Sequence, residues 1–332
     1  MPPQGVTGPS ASTPSAATQQ VALMVALVLV IVWGVNFSLQ KYLYARITPE
    51  GFLMARYLVT PLCALLLMRW RFGRWWPHVS RADLRRLAWL GFVGHSLHVG
   101  IVNYGVHWST AFSSAVMLAF GPVFTLLILR FKKIEHLRGV QVLGVGVALA
   151  GVLLFLSDKL LAGQWRAGIG DAMLLVAALF FAWYTVEAKP VTQRLGAPLV
   201  MGYSTMLGAV PVLMWSMPAG LQVPWRSLEP LTWLCMFWCL VVSAFGGWLA
   251  WGWINAVRGV ARTAPLMYIT PPVAGLVAWA FAGEHYTVTK IVAAAVILLG
   301  VAVAQYAGPL PAPGGLNRPL RVFSAARCPR PS

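Results

Sequence analysis

The hydrophobic pattern of the chain consists of long apolar runs that contain no Asp, Glu, Lys or Arg. A helix that crosses a membrane needs about 20 apolar residues. The run over residues 87–129 is too long for one such helix and fits two, with a turn near residues 108–110. The other uncharged runs are residues 21–40, 139–157, 195–225, 230–257, 263–283 and 291–317. This pattern predicts an all-α integral membrane protein.

Two further apolar segments contain charged residues, residues 51–68 around Arg56 and residues 168–188, which include Asp171 and Glu187. With these, the chain is predicted to form ten transmembrane helices. Their predicted bounds are 21–41, 51–69, 87–107, 111–130, 138–157, 168–188, 198–217, 231–253, 262–282 and 288–307.

Both ends of the chain are predicted to be disordered tails. Residues 1–20 are uncharged and lack the basic region of a signal peptide, so the first helix is predicted to be retained rather than cleaved. Residues 308–332 are rich in Pro, Gly and Arg, a composition that does not bury enough apolar surface to fold.

Composition narrows the class of protein further. The chain has 332 residues, of which 59% are hydrophobic and 10% charged, whereas soluble domains have about 45–50% and about 25%. These values exclude a soluble enzyme and a disordered chain. The four cysteines show no spacing typical of a disulfide framework or a metal site. The sequence therefore predicts no metal and no cofactor.

The basic residues are distributed unevenly between the two sides of the predicted membrane. Of the 25 Lys and Arg residues, 18 lie in loops and tails of the side that carries both termini. Because cytoplasmic loops carry the excess of Lys and Arg, both termini are predicted to be cytoplasmic, with the protein in the inner membrane. The net charge of +17 is thus explained by orientation in the lipid bilayer, and no nucleic-acid partner is predicted.

An internal repeat divides the chain into two halves, predicted at residues 21–157 and 168–307. Six features recur in the same order at a shift of 149 or 150 residues. The pairs are Trp33 and Trp183, Pro61 and Pro211, Pro122 and Pro272, Pro49 and Pro198, Glu135 and Glu284, and Gly151 and Gly300. Since five helices per repeat is an odd number, the second repeat is predicted to be inverted. Many transporters use inverted repeats to build a binding site at the midplane.

These motifs resemble the drug/metabolite transporter superfamily, and within it the EamA-type proteins with two five-helix repeats. The residues that carry the resemblance are Trp33-Gly34, Lys41, Pro49, Phe52, Arg56, Ser113-Ser114-Ala115, Gly121-Pro122-Val123-Phe124, Glu135, Thr263-Ala264-Pro265, Pro271-Pro272-Val273 and Gly283-Glu284. The resemblance implies a cytoplasmic-membrane exporter of small metabolites, often amino acids, that works by alternating access. One segment departs from the family pattern, since Lys132-Lys133-Ile134-Glu135 stands where the family more usually has Gly-Glu.

Polar and aromatic residues at membrane depth are candidates for a substrate cavity, because polar groups are costly there. The polar candidates are Asn36, Gln40, His95 and Asn103, and the aromatic candidates are Trp33, Trp183, Tyr184 and Tyr268. The alternative for each polar residue is a hydrogen bond between helices, and for each ring it is packing against lipid. His95 and Asn103 are eight residues apart, which predicts that they share a helix face.

Four further residues are candidates for gating or charge. Arg56 either snorkels to the interface or faces inward to counter an anionic substrate group. Glu187 is the best candidate for a proton-linked carboxylate, and a solvated position or a pair with Lys189 is the alternative. Pro122 and Pro272 are predicted to interrupt their helices and to serve as kinks for gating.

The sequence thus predicts an exporter of small metabolites, most of all amino acids with aromatic or amphiphilic side chains. Multidrug or quaternary-amine efflux is the alternative. An intramembrane enzyme is less favoured, because His95 and His98 have no Glu beside them to complete a reactive cluster. The predicted partners are a small-molecule substrate and the lipid bilayer, proton coupling is left open, and a monomer is favoured over an obligate dimer.

Overall fold

The computed structural model describes residues 15–133, 135–136, 138–161, 163–306 and 310–311. Its helical segments follow the predicted spans. They are α1 (Ala16–Tyr44), α2 (Pro49–Phe72), α3 (81–108), α4 (Ala111–Phe131), α5 (Gly139–Leu161), α6 (Trp165–Leu195), α7 (Ala197–Gly220), α8 (Pro230–Arg258), α9 (260–282) and α10 (Val288–Tyr306). The short strands β1 (Glu135–His136) and β2 (Leu310–Pro311) pair in an antiparallel manner. The predicted all-α membrane architecture is confirmed.

Not every predicted span has the length and hydropathy of a helix that crosses a membrane. Within the described ranges, eight helices are long and apolar enough to cross a membrane, and Val288–Ala304 is a shorter apolar helix. The segment α3 is helical over its whole length, but His95, His98 and Asn103 lower its hydropathy. The count of ten spans therefore stays a prediction.

Helix starts and ends follow local capping chemistry. Ser15 accepts a hydrogen bond from the Thr18 amide at 3.2 Å, so α1 begins five residues earlier than the predicted bound of residue 21. Thr48 caps α2 in the same way, and Gly73 ends that helix in the left-handed conformation with a φ of 67°. The remaining residues of the predicted tails, 1–14 and most of 308–332, lie outside the described part of the chain.

The third helix of each repeat contains a π-helical segment. In α3 it is Phe92–His98, between Arg81–Gly91 and Val99–Trp108. In α8 it is Trp238–Gly246, between Pro230–Phe237 and Gly247–Arg258. Such π segments are frequent at functional sites. They occupy equivalent positions in the two repeats.

The fourth helix of each repeat is interrupted near a proline. In α4 the break separates Ala111–Leu118 from Gly121–Phe131, and in α9 a 3₁₀ turn over Ala264–Ile269 precedes Thr270–Ala282. Pro122 and Pro272 lie in the first turn after each break. Proline fits there because the first turn of a helix leaves its amides without helical acceptors. The interruptions thus lie where the sequence places them, while their role in gating stays a prediction.

The two repeats are inverted, as equivalent helices run antiparallel to each other. In the pair α5 and α10, Gly144 lies against Ala304 and Gly151 against Ile297, so residue numbers rise along one helix as they fall along the other. In the pair α2 and α7, Met68 lies against Gly202 and Met54 against Gly220. The first helix of each repeat packs on helices of the other repeat. Helix α1 packs on α8 and α9, and α6 packs on α3 and α4.

The departure at Lys133 does not change the backbone. Lys133 has a φ of 56°, and Gly283 at the equivalent position of the second repeat has a φ of 64°. A left-handed residue with a side chain is unfavourable relative to glycine. The repeat therefore retains its conformation at this helix end although the sequence match is lost.

An ion pair joins the repeats at the end of the bundle that carries the α2–α3 and α4–α5 loops, here called the basic end. Asp83 at the start of α3 accepts hydrogen bonds from both terminal nitrogens of Arg194 at the end of α6, one at 3.0 Å. The Arg194 hydrogen bond is the main cause that lowers the pKa of Asp83 from 3.8 to about 2, burial opposes it, and the Ser80 hydroxyl adds to the lowering.

The close packing of α5 and α10 predicts that Gly300→Ala destabilises the protein by about 1–3 kcal/mol. A Cβ at this position would lie 2.3 Å from the backbone nitrogen of Ala148. Thermal unfolding of the detergent-solubilised protein measures the loss as a lower Tm. Gly146→Ala on the same helix pair is the control, because nothing lies within 4 Å of its Cβ position. An unchanged Tm for Gly300→Ala would contradict the observed packing.

The pair of Asp83 and Arg194 predicts a pH-dependent contribution to stability. Since folding lowers the pKa of Asp83, the contribution is complete above the unfolded value of 3.8 and is lost as the pH falls towards 2. Arg194 is half-exposed, so the contribution is only about 0.5–1 kcal/mol. The Tm of Asp83→Asn should be lower than that of the wild type at pH 7, and the difference should shrink as the pH falls from 3.8 towards 2. A difference that is undiminished at pH 2 would show that the carboxylate charge is not its source.

Candidate substrate cavity

A central cavity lies between the two repeats. Helices α1 to α4 of the first repeat and α6, α8 and α9 of the second contribute to its wall. Its volume is about 90 Å³, which is smaller than the roughly 150 Å³ that an apolar protein cavity needs to hold benzene. The cavity is therefore narrow in this conformation. Residues that line it include Trp33, Asn36, Gln40, Arg56, His98 and Trp248.

All four helix irregularities border this cavity. The π segments contribute His98 from α3 and Ser243 from α8, and the breaks contribute Leu118 from α4 and Met267 from α9. Trp33 donates its indole N–H to the carbonyl oxygen of Ser243 at 3.1 Å. Irregular backbone at membrane depth occurs only where it is buried in protein or lines a cavity. The breaks and the cavity are thus parts of one arrangement.

Arg56 is the charged residue of the cavity wall, and its side chain faces inward. It is 9% exposed. Within the part of the chain that the structure describes, no carboxylate lies within ion-pairing distance of it, and the acidic partners there belong to Lys132 and Arg194. A buried charge is costly unless it is paired. Arg56 is therefore suited to pair with an anionic group that enters the cavity.

Two hydrogen-bond acceptors complete the polar part of the wall. Asn36 Oδ1 and Thr270 Oγ1 are buried and have no hydrogen-bond partner among the described residues. Both residues line the cavity. A buried polar atom without a partner costs about 1–3 kcal/mol, so a ligand that donates a hydrogen bond here would be favoured.

Aromatic rings form the rest of the wall. Phe181 lies at the centre, with ring centroids 5.0 Å from His98, 5.6 Å from Trp248 and 6.0 Å from Trp33. The His98 Nδ1 atom lies 2.8 Å from the carbonyl oxygen of Ala177, which fixes the orientation of the imidazole. Such a wall suits apolar or aromatic groups, and its ring faces also suit cations.

His95 and Tyr184 lie behind this wall rather than in it. The His95 ring is 4.5 Å from the Trp248 ring, and its Nε2 atom is 3.3 Å from Thr205 Oγ1. The Tyr184 ring is 5.0 Å from the Trp248 ring and 6.2 Å from the His95 ring. Both residues support the position of Trp248 without lining the cavity.

Asn103 and Tyr268 make hydrogen bonds between helices. Asn103 donates to the carbonyl oxygen of Pro49 at 2.8 Å and accepts from the Tyr44 hydroxyl. Tyr268 donates to the carbonyl oxygen of Val301 at 3.2 Å. Neither His95 nor Asn103 lines the cavity, because His95 packs against Trp248 and Asn103 bonds to Pro49 and Tyr44. For Asn103 the structure matches the alternative, a hydrogen bond between helices.

Trp183 also lies outside the cavity. It borders an apolar cleft with Trp89 and Leu179, and the Lys132 Nζ atom lies 5.2 Å from its ring centroid. Each residue turns a helix by about 100°, so the inward direction of Phe181 points Trp183 away. The matching sequence positions of Trp33 and Trp183 therefore do not face the same space.

Glu187 lies at the basic end and forms an ion pair with Lys132. About a third of each side chain is exposed. The pair with Lys189 that the sequence left open is not formed. Glu187 thus joins α6 to the end of α4 and is remote from the cavity lining.

The residues of the wall that are not among the candidates from the sequence include Phe181, Trp248 and Thr270. Phe181 continues a buried stripe with Leu174, Ala177 and Ala178, spaced by three and four residues along α6. That spacing is visible in the sequence and indicates an inward face. Thr270 carries no such signal, since its position depends on the 3₁₀ turn before it.

The model of the EamA-like transporter family matches the chain twice, over residues 20–157 and residues 168–305. The two matches coincide with the two halves of the bundle. A solved crystal structure matches the fold with a TM-score of 0.60 at 16% identity and covers 87% of this chain and 98% of its own. The resemblance seen in the sequence motifs is confirmed.

Relatives of the chain include named exporters. It is 27% identical over 219 residues to a probable terminal-alkyne amino-acid exporter of Streptantibioticus cattleyicolor, which covers 66% of this chain and 72% of that protein. It is 24% identical over 289 residues to a probable amino-acid metabolite efflux pump of Escherichia coli (strain K12), which covers 84% of this chain and 92% of that protein.

Proposed function

Because the chain belongs to the EamA-like transporter family, we propose that it exports amino acids with apolar or aromatic side chains by alternating access at the central cavity. As a member of this family it is a multi-pass membrane transporter rather than an enzyme. The names of the two relatives support export of amino acids or their metabolites. The observation that carries the proposal is the buried Arg56 in the cavity wall.

Arg56 binds the substrate carboxylate in this proposal. A guanidinium group presents donors in a fork that matches a carboxylate with two parallel hydrogen bonds. Among the described residues no carboxylate of the protein occupies that position. A free amino acid supplies the missing anion and thereby removes the cost of the buried charge.

The ammonium group and the side chain of the substrate meet the other parts of the wall. Asn36 Oδ1 and Thr270 Oγ1 accept hydrogen bonds from the ammonium group, since neither has another partner in the described structure. The side chain then lies against Trp33, Phe181 and Trp248. This division of the cavity favours a zwitterion with an apolar side chain.

Alternating access follows from the inverted repeats and the helix breaks. The cavity is too narrow for an amino acid in this conformation, so binding requires the wall to move. The breaks before Pro122 and Pro272 lie in the wall at equivalent positions of the two repeats. We assign them as the hinges at which each half of the wall opens. The positive-inside rule places the basic end in the cytoplasm, so export proceeds from that end to the other.

Efflux of drugs or quaternary amines is the second candidate, and the aromatic wall favours it. Ring faces bind quaternary ammonium groups through cation–π contacts. The positive charge of Arg56 in the same wall opposes such a ligand. Transport of a labelled quaternary amine in preference to every amino acid would favour this second candidate.

Replacing Arg56 tests the carboxylate site. Arg56→Gln should lower counterflow of labelled leucine, phenylalanine or tryptophan into proteoliposomes by about tenfold or more, because a hydrogen bond to a charged group contributes about 1.5–3 kcal/mol. Arg46→Gln is the matched control, since Arg46 is exposed near the same helix ends and its guanidinium lies over the Tyr42 ring. Wild-type counterflow in Arg56→Gln would refute the assignment.

The contrast between Trp33 and Trp183 tests which rings form the wall. Trp33→Leu removes a ring from the cavity and the hydrogen bond to Ser243, and counterflow of labelled tryptophan should fall several-fold, as for a ring contact of about 0.5–1.5 kcal/mol. Trp183→Leu should retain most of the counterflow, because its ring borders a different cleft. Equal losses in both variants, at equal amounts of folded protein, would be the contrary result.

A further inference from the structure

The turn between α3 and α4 is held by the first helices of both repeats. Lys41 of α1 donates from its Nζ atom to the carbonyl oxygens of Val106, His107 and Ser109, at 3.3, 2.9 and 2.8 Å. Ser109 donates from its hydroxyl group to the carboxylate of Asp171 on α6. Charged side chains from two helices therefore fix the end of α3 at the end of the bundle opposite the basic end.

The equivalent turn of the second repeat is held by the other ends of the same two helices. The side chains of Gln193 and Gln19 contribute, and Arg258 at the end of α8 donates to the carbonyl oxygen of Gln19 at 3.0 Å. Gln193 of α6 donates to the carbonyl oxygen of Ala256 at 3.2 Å. Gln19 of α1 donates to the carbonyl oxygen of Val257 at 3.0 Å. The fold thus repeats the arrangement with inverted direction, while the chemistry differs. Only the clamp of the first repeat, within the described residues, contains a carboxylate among these contacts.

The carboxylate of that clamp is buried within a membrane-spanning helix. Asp171 is 0% exposed and lies six residues after Trp165, the first residue of α6. An ionisable residue inside a transmembrane helix is a functional candidate by default, and acidic ones often relay protons in transporters. Glu187, the carboxylate that the sequence favours for this role, is instead partly exposed and paired with Lys132.

We propose that Asp171 is the proton-binding group of the transport cycle and that its protonation releases the α3–α4 turn from α6. This proposal rests on the proposed export function. A proton from water at the end opposite the basic end passes to a carboxylate oxygen of Asp171, which becomes a neutral carboxylic acid. The Ser109 hydroxyl then donates to a neutral rather than a charged acceptor, and hydrogen bonds to charged groups are about twice as strong.

The released turn opens the wall on that side. Ser109 and Thr110 connect α3 to α4, and the first part of α4 leads directly to the break before Pro122. A movement of the turn is therefore transmitted to the cavity along a single helix of eight residues, Ala111–Leu118. Uptake of a proton by Asp171 is thereby coupled to opening of the wall towards that end.

Other charged groups lie around this turn, and their contribution to a pH dependence has to be distinguished from that of Asp171. They are Lys41 on α1, Glu50 on α2, His107 on α3, Arg166 on α6, Glu284 between α9 and α10, and Lys290 on α10. Lys and Arg with ordinary pKa values stay charged between pH 5 and 8. His107 is the principal rival, because imidazole titrates in that range. Glu284 accepts a hydrogen bond from the Ala111 amide at 2.7 Å and is the second rival.

Asp171→Asn separates proton coupling from transport itself. An asparagine oxygen still accepts the Ser109 hydrogen bond but does not titrate. In proteoliposomes, counterflow of labelled leucine, phenylalanine or tryptophan should continue, whereas the stimulation of transport by a pH gradient should be lost. His107→Gln and Glu187→Gln should both retain the stimulation. Its retention in Asp171→Asn, or its loss in His107→Gln alone, would overturn the proposal.

A labelling experiment tests the gate without any substrate. Ala111→Cys places a thiol at a fully buried position beneath the turn, and the parent chain corrects for its native cysteines. The maleimide rate, divided by that of Ser227→Cys at an exposed position, should rise roughly fivefold or more between pH 8 and pH 5. The added Asp171→Asn should remove this rise.

The counterflow and labelling experiments distinguish failure of the proposed export function from failure of the proposed role of Asp171. Absence of counterflow for every amino acid would remove the proposed substrate, while labelling would still report on the gate. A labelling rate that does not depend on pH in the otherwise wild-type chain would refute the role of Asp171, even if Asp171→Asn does not fold. Gln193→Ala, which alters the corresponding clamp of the second repeat, should leave the pH dependence unchanged.

Discussion

Every polar group at membrane depth has to find its partner within the bundle, because hydrocarbon supplies none. The helix breaks of α3, α4, α8 and α9 make this constraint severe, since each break disturbs the regular backbone bonding. Side chains from other helices supply some of the missing hydrogen bonds. Trp33 donates to the Ser243 carbonyl, and Lys41 donates to a carbonyl at the end of α3. In the cavity wall the demand is not met at Asn36 and Thr270, and Arg56 has no carboxylate partner among the described residues. In the proposed function, substrate binding supplies these missing partners.

The inverted repeat explains the geometry of the bundle but not its chemistry. Close antiparallel packing of α5 on α10 needs glycine at Gly144 and Gly300, where a Cβ would approach backbone atoms. That pair forms a fixed support outside the cavity. The first helices, α1 and α6, instead contact the interrupted helices of the opposite repeat. Because only the clamp of the first repeat has a carboxylate among the contacts described, the proposed role of Asp171 lets a symmetric scaffold respond to protons at one end of the bundle and not at the other.

The hydrophobic pattern predicted the helices, the repeat and the interruptions at Pro122 and Pro272, since each depends on local composition or on proline geometry. It did not predict the π segments, which depend on packing between helices. Nor did it predict the direction of Trp183, which lies two residues after the inward-facing Phe181 and therefore points away from the cavity. An error of one or two residues in register turns a side chain by about 100–200°. Depth along a helix was thus more predictable than direction around it.

Arg56 and Asp171 lie at comparable depth, although neither position follows from the other in the sequence. Arg56 is seven residues from the start of α2 and Asp171 six residues from the start of α6. At about 1.5 Å per residue, both lie roughly 10 Å from the same end of the bundle. In the proposed cycle the substrate carboxylate neutralises Arg56 and a proton neutralises Asp171. Each ligand therefore changes the charge state of the bundle at the same depth. If opening towards that end requires Asp171 to be protonated, the proton is taken up as the substrate leaves Arg56.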